Sequence, residues 1–174
     1  MTDTLDTELR LSLHGLLRQT DELATLTDLA KLSYAAHLPS GILAGQADKI
    51  WHDERTLAAG ASDMLSLDAL EMPALGGTLS IALAKVKLLR LVNTATAAGN
   101  DLHVGGAGSG AHAWSGPWNN NADAKSVVPA DSPLLVVGKL AGWTVTPGTS
   151  NVLKVHNPGA SAITYRIAIV GTSA

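Results

Sequence analysis

His52-Asp53-Glu54-Arg55 sets an imidazole, two carboxylates and a guanidinium side by side, the densest polar cluster in the chain. Along a strand alternate side chains share a face, so His52 and Glu54 would point the same way and could pass a proton or share a metal ion. The competing reading makes the same residues salt bridges on an edge strand, with Trp51 packed in a core or an interface. We adopt the second reading and assign no catalytic residue.

The remaining histidines, His14, His37, His103, His112 and His156, are scattered, and none has the local spacing with a second histidine or a carboxylate that gathers zinc ligands. No metal site and no cofactor is therefore expected. The run Gly105-Gly-Ala-Gly-Ser-Gly110 could suggest a phosphate cradle, but no Lys-Ser/Thr pair closes it and no βαβ unit surrounds it. Ser109 lacks a visible histidine–acid relay. The glycine run reads as a mobile tip, or as a segment held close by a neighbour. Trp114, Trp118 and Trp143 could stack on sugars. In a chain with 3% aromatic residues and no Phe, however, they are also the main large fillers available to a β core or a subunit contact.

The elements around these residues read as strands. Leu9–His14 alternates with period two up to Gly15, Lys31–Leu38 ends at Pro39, and Lys49–Leu57 separates Ile50, His52, Glu54 and Thr56 from Trp51, Asp53, Arg55 and Leu57. Residues 21–30 read as a loop with one helical turn at most. Asp63–Asp68 continues the strand rhythm, Thr78–Lys85 fits helix and strand alike, and Val86–Asn93 reads as a core strand. Further short strands follow at Asp101–Val104, Val127–Pro129, Pro133–Gly138, Val152–His156 and Ser161–Val170, with Thr146-Pro-Gly-Thr149 and His156-Asn-Pro-Gly159 as turns. Eight to ten strands without long helices predict an all-β domain, a jelly roll or related antiparallel β-sandwich.

Composition narrows the partners. With 174 residues the chain can bury one sizeable core, so a single domain is expected over 1–174, residues 1–45 forming a looser N-terminal arm. Charged residues make up 16%, against about 25% in an average soluble domain, which suggests that a partner covers part of the surface. A net charge of -3 without a Lys/Arg cluster argues against nucleic acid. No apolar run spans a bilayer, since Leu79–Val92 is broken by Lys85, Lys87 and Arg90, so no membrane partner is expected. The acidic start lacks a signal peptide's basic and hydrophobic segments, so release from a cell is expected by another route. Cysteine is absent, which excludes disulfides.

Taken together, Asp48-Lys-Ile-Trp-His-Asp-Glu-Arg-Thr-Leu-Ala58, Asp101-Leu-His-Val-Gly-Gly-Ala107, Thr146–Gly159 and Thr164-Tyr-Arg-Ile-Ala-Ile-Val-Gly171 resemble small structural proteins of tailed bacteriophages. The resemblance runs from about residue 48 to the end. It implies a non-enzymatic virion component, most like a capsid decoration (cement) protein with a β-sandwich or jelly-roll body. Such a protein is expected on the capsid surface as a homo-oligomer, a trimer favoured, bound to the major capsid protein shell. A tail or head–tail component and a carbohydrate-binding β-sandwich are the alternatives. For subunit contacts, Trp51 and Arg55 on the edge strand and Trp114 and Trp118 in the loop are the residues expected.

Overall fold

The computed structural model describes residues 4–20, 25–74 and 77–174. It is an all-β domain built from several antiparallel sheets. The N-terminal strands β1 (Thr7–Thr20) and β2 (Thr25–Leu38) pair only with each other, in continuous register from Thr7 opposite Leu38 to Thr20 opposite Thr25. Gly15 does not interrupt the strand as its sequence suggests; it stays in register opposite Ala30. Nor do residues 25–30 form a loop. Thr25 and Thr27, poor helix formers, have the β-branched side chains that suit a strand, and Gly15–Thr20 supplies the pairing partner. The loop expected over 21–24 lies outside the described residues.

Two larger sheets follow. β3 (Lys49–Leu57), β7 (Lys85–Asn93), β10 (Ser132–Val137) and β13 (Ile163–Thr172) form one in the order β10-β7-β13-β3, and the short β11 (Trp143–Thr144) adds to β7. β4 (Ser62–Ser66), β8 (Leu102–Gly105), β9 (Lys125–Val128) and β12 (Val152–His156) form the other in the order β4-β12-β8-β9. The ribbon β5 (Leu70–Ala74) and β6 (Gly77–Ile81) stands apart. The segment that fitted helix and strand alike thus forms a strand to Ile81, then breaks before Lys85. The two larger sheets hold nine strands. With the two ribbons the described residues form thirteen strands, more than the eight to ten expected, because short pairings such as β5–β6 and β11 carry little sequence signal.

One hydrophobic core takes residues from both larger sheets. Trp51, Leu89, Leu91, Tyr165, Ile167 and Ile169 come from one, and Leu65, Leu102, Val104, Val128, Leu153 and Val155 from the other. Period-two alternation accounts for this: Ile163, Tyr165, Ile167 and Ile169 are buried while Arg166 is exposed. A second, smaller cluster lies on the opposite face of the first sheet. There Leu88 and Val170 pack with Leu38 and Ala47, and with Leu5, Leu9, Leu135 and Val137, which seats the base of the β1–β2 ribbon on the body.

Backbone hydrogen bonding is completed by two buried asparagines. Asn93 donates to the carbonyls of Asn100 and Val128, and Asn157 donates to those of Leu57, Ala58 and Ser161. Both are fully buried, where an unpaired carbonyl would cost about 1–3 kcal/mol.

Candidate functional site

The His52–Arg55 cluster lies on β3, at the end of its sheet, and alternation splits it as the sequence predicts. His52 and Glu54 face outward. Glu54 accepts a hydrogen bond from Arg166 Nε, directly across on β13, rather than engaging His52. Asp53 and Arg55 face the other way, and the Arg55 guanidinium donates to Asp53 at 2.8 Å and lies 3.7 Å from the Asp63 carboxylate on β4. The Tyr165 hydroxyl donates to that same Asp63 oxygen at 2.7 Å. Arg55 also stacks 5.7 Å over the Trp51 ring, whose indole N–H donates to the Glu71 carbonyl at 2.9 Å.

β3 and β4 are the end strands of their respective sheets, so these polar groups join the two sheets along one open side. Burial disfavours the Arg55 charge, but the bond to Asp53 and the field of Asp63 outweigh it and hold the guanidinium above its usual range. Burial, then the bond to Asp63, push the Tyr165 phenol well above its usual value, so it acts as a neutral donor. The arrangement fixes position.

The three tryptophans form one edge-to-face group. The Trp114 ring meets Trp118 at 6.1 Å and 87°, and Trp143 at 6.4 Å and 88°. Trp114 is fully buried and donates to the Thr144 carbonyl, while Trp118 donates to Ser126 Oγ. Glycines make the room: a Cβ on Gly116 would lie 2.8 Å from Trp143, and one on Gly138 2.9 Å from the far side of that ring. Gly105 holds φ at +99°, and a Cβ there would meet the Ala124 carbonyl at 2.8 Å and Trp118 at 3.2 Å. The start of the glycine run is thus pinned against 123–125, the second of its two expected states.

Of the residues expected at subunit contacts, Trp51 and Trp114 sit in the core of the chain itself, with 0% and 1% of their surface exposed. Their large apolar area is used between the sheets, where burial is deepest. Arg55 and Trp118 keep partial exposure.

His156 lies directly opposite His103 on the outward face of the second sheet, ring centroids 5.9 Å apart, and its Nδ1 lies 2.9 Å from Ser62 Oγ. Burial, then Lys125 and His156, lower the His103 pKa, and Lys154 adds to this against Asp101. Among the described residues no group of three or more His, Cys, Asp or Glu side chains could hold a metal ion.

The chain matches no family model, no curated protein and no solved structure.

Eight of the fifteen exposed large hydrophobic side chains among the described residues lie on β1 and β2, a feature that the sequence reading missed. Beyond its seated base, the β1–β2 ribbon carries Leu11, Leu13, Leu17, Leu26, Leu32 and Tyr34 on one face, and Leu13, Leu17, Leu26 and Leu32 are each 62–69% exposed. The opposite face is mostly polar, with Glu8, Arg10, Ser12, His14, Arg18, Thr27, Lys31 and Ser33, but it also exposes the Leu16–Leu29 pair at 53% and 52%. The alternation at Leu9–His14 was the available signal, but reading residues 21–30 as a loop hid the first part of the second strand.

Proposed function

We propose that this protein is a structural component of a tailed-bacteriophage virion, a decoration or cement protein that stabilises the capsid shell through a jelly-roll body. The observation that carries the assembly role is the ribbon. An arm seated at its base, with one face apolar but for Asp28, is built to be covered by protein, since water-exposed patches of this kind are rare on free monomers. The body supports the same reading, because the Arg55–Asp63–Tyr165 contacts and the tryptophan group hold the two sheets and their loops together.

What supports the jelly roll is strand order. Setting aside the ribbons and β11, eight strands in chain order pair as first with last, second with seventh, third with sixth and fourth with fifth. These are β3 with β13, β4 with β12, β7 with β10 and β8 with β9, all antiparallel. That nesting is a long hairpin rolled into two four-stranded sheets, the connectivity of two Greek keys. The assignment to phage shells rests on the resemblance of residues 48–174. Cryo-electron microscopy of the parent particle tests it: density for this fold at repeated positions on the shell is expected, and density confined to the tail, or none, would overturn it.

A further inference from the structure

We infer that the apolar face of the β1–β2 arm is covered by the same face of a second copy of this chain, the two arms lying antiparallel about a twofold axis between the Leu13 and Gly15 levels. This deepens the assembly reading above by naming the surface and its occupant.

An isolated two-stranded ribbon is marginal in water, and only the base of this one is seated on the body. Its cover is therefore needed by every molecule, and a second copy is always present in equal amount. Beyond the seated base, about ten residues of each strand offer a flat face on the order of 340 Å², so two faces in contact bury roughly 700 Å² before side-chain relief is counted, the scale of a weak, concentration-dependent interface. Self-contact also carries little electrostatic cost, because among the described residues Asp28 is the one charged side chain on that face.

Gly15 supplies an independent indication. Glycine inside a strand weakens it and marks a bulge or a close approach from outside. The register through Gly15 has no bulge, and a Cβ there would meet nothing nearer than Ala30 Cβ at 3.9 Å. Nothing within the arm requires glycine. Gly15 and Ala30 face each other across the ribbon and form a shallow hollow, flanked by the bulky Leu13–Leu32 pair. In the antiparallel register Leu13 and Leu32 of each copy fill the hollow of the other, large against small. The same register sets Tyr34 opposite Asp28 of the second copy, a phenol facing the one carboxylate, and keeps the two Asp28 residues apart. Paired arms would join two bodies lying at opposite ends, a staple between neighbouring positions on a shell.

The test is size-exclusion chromatography with light scattering on the full chain, from about 1 to 100 µM. Wild type is expected as a dimer or a higher even-numbered species. L13T/L32T, which puts β-branched strand formers at both positions, is expected to shift dissociation at least tenfold toward smaller species. G15V, which aids an isolated strand but fills the hollow, is expected to act in the same direction. L16T/L29T, on the opposite face, leaves assembly unchanged, and tryptophan fluorescence reports an intact body in every variant. An oligomer indifferent to both L13T/L32T and G15V overturns the arm inference and leaves self-association standing. A trimer with no even-numbered species also overturns it. A wild-type monomer at 100 µM overturns the inference and self-association in solution together, whether or not it binds anionic phosphatidylglycerol vesicles; shell density in the parent particle would then still uphold the virion reading.

Discussion

Tyr165 on β13 donates its hydroxyl hydrogen to Asp63 on β4 at 2.7 Å, linking a central strand of one sheet to the end strand of the other. The acceptor is a carboxylate that Arg55 also approaches, so phenol, carboxylate and guanidinium form one cluster between the sheets. This cluster fastens the two sheets to each other along one open side.

Tyr165→Phe is expected to lower the unfolding free energy by about 1.5–3 kcal/mol, the range for a hydrogen bond to a charged group. Urea denaturation followed by tryptophan fluorescence measures it. A change under 0.5 kcal/mol would remove the cross-sheet role.

Lys87 sits at a bulge, where the register with β13 skips from Leu88 to Val86, and it is 1% exposed with its ammonium donating to the Leu140 carbonyl. Burial, and secondarily Lys85, lower its pKa. Between the folded value and about 10.4 the unfolded chain binds more protons, so stability rises with pH through that window. Lys87→Met leaves the Leu140 carbonyl paired with the Gly45 N–H and should add about 1 kcal/mol at pH 7 while abolishing the alkaline rise. Denaturation series at pH 7 to 10 check both effects, and a loss of more than 2 kcal/mol in the variant would contradict this account.

Gly116→Ala places a methyl 2.8 Å from Trp143 and should destabilise by about 1–3 kcal/mol through overpacking. In a Trp143→Ala background the same change should cost much less. A double-mutant cycle with no coupling would mean that Trp143 is not what confines position 116.

His103 titrates below its ordinary value in the folded protein, so below about pH 6.5 the unfolded chain takes up protons first and stability falls with acidity. His103→Gln should flatten that part of the pH profile, measured as thermal midpoints from pH 8 to 5. An unchanged profile would assign the acid sensitivity to other groups.

Much of the body was legible locally. Pro39 and the Asn-Pro-Gly turn ended strands where expected, and alternation along Lys49–Leu57 divided Trp51 and Arg55 from His52 and Glu54 correctly. The arm was legible only in half, because Gly15 and the threonines of 25–27 are weak local signals that a 14-residue partner strand overrides. Nothing local marked Trp51 and Trp114 as core rather than interface, since both environments take large aromatic rings.

By itself the sequence determined the all-β class, most strand positions and the scarcity of charge, because these follow from period-two patterning, turn residues and composition. Tertiary structure alone decided which strands neighbour one another, that Asp63 would meet Arg55 and Tyr165, and that the leucines of β1 and β2 would share one uncovered face. The reason is physical: alternation states which side a residue takes, while pairing and register, set by long-range packing, state what lies across from it.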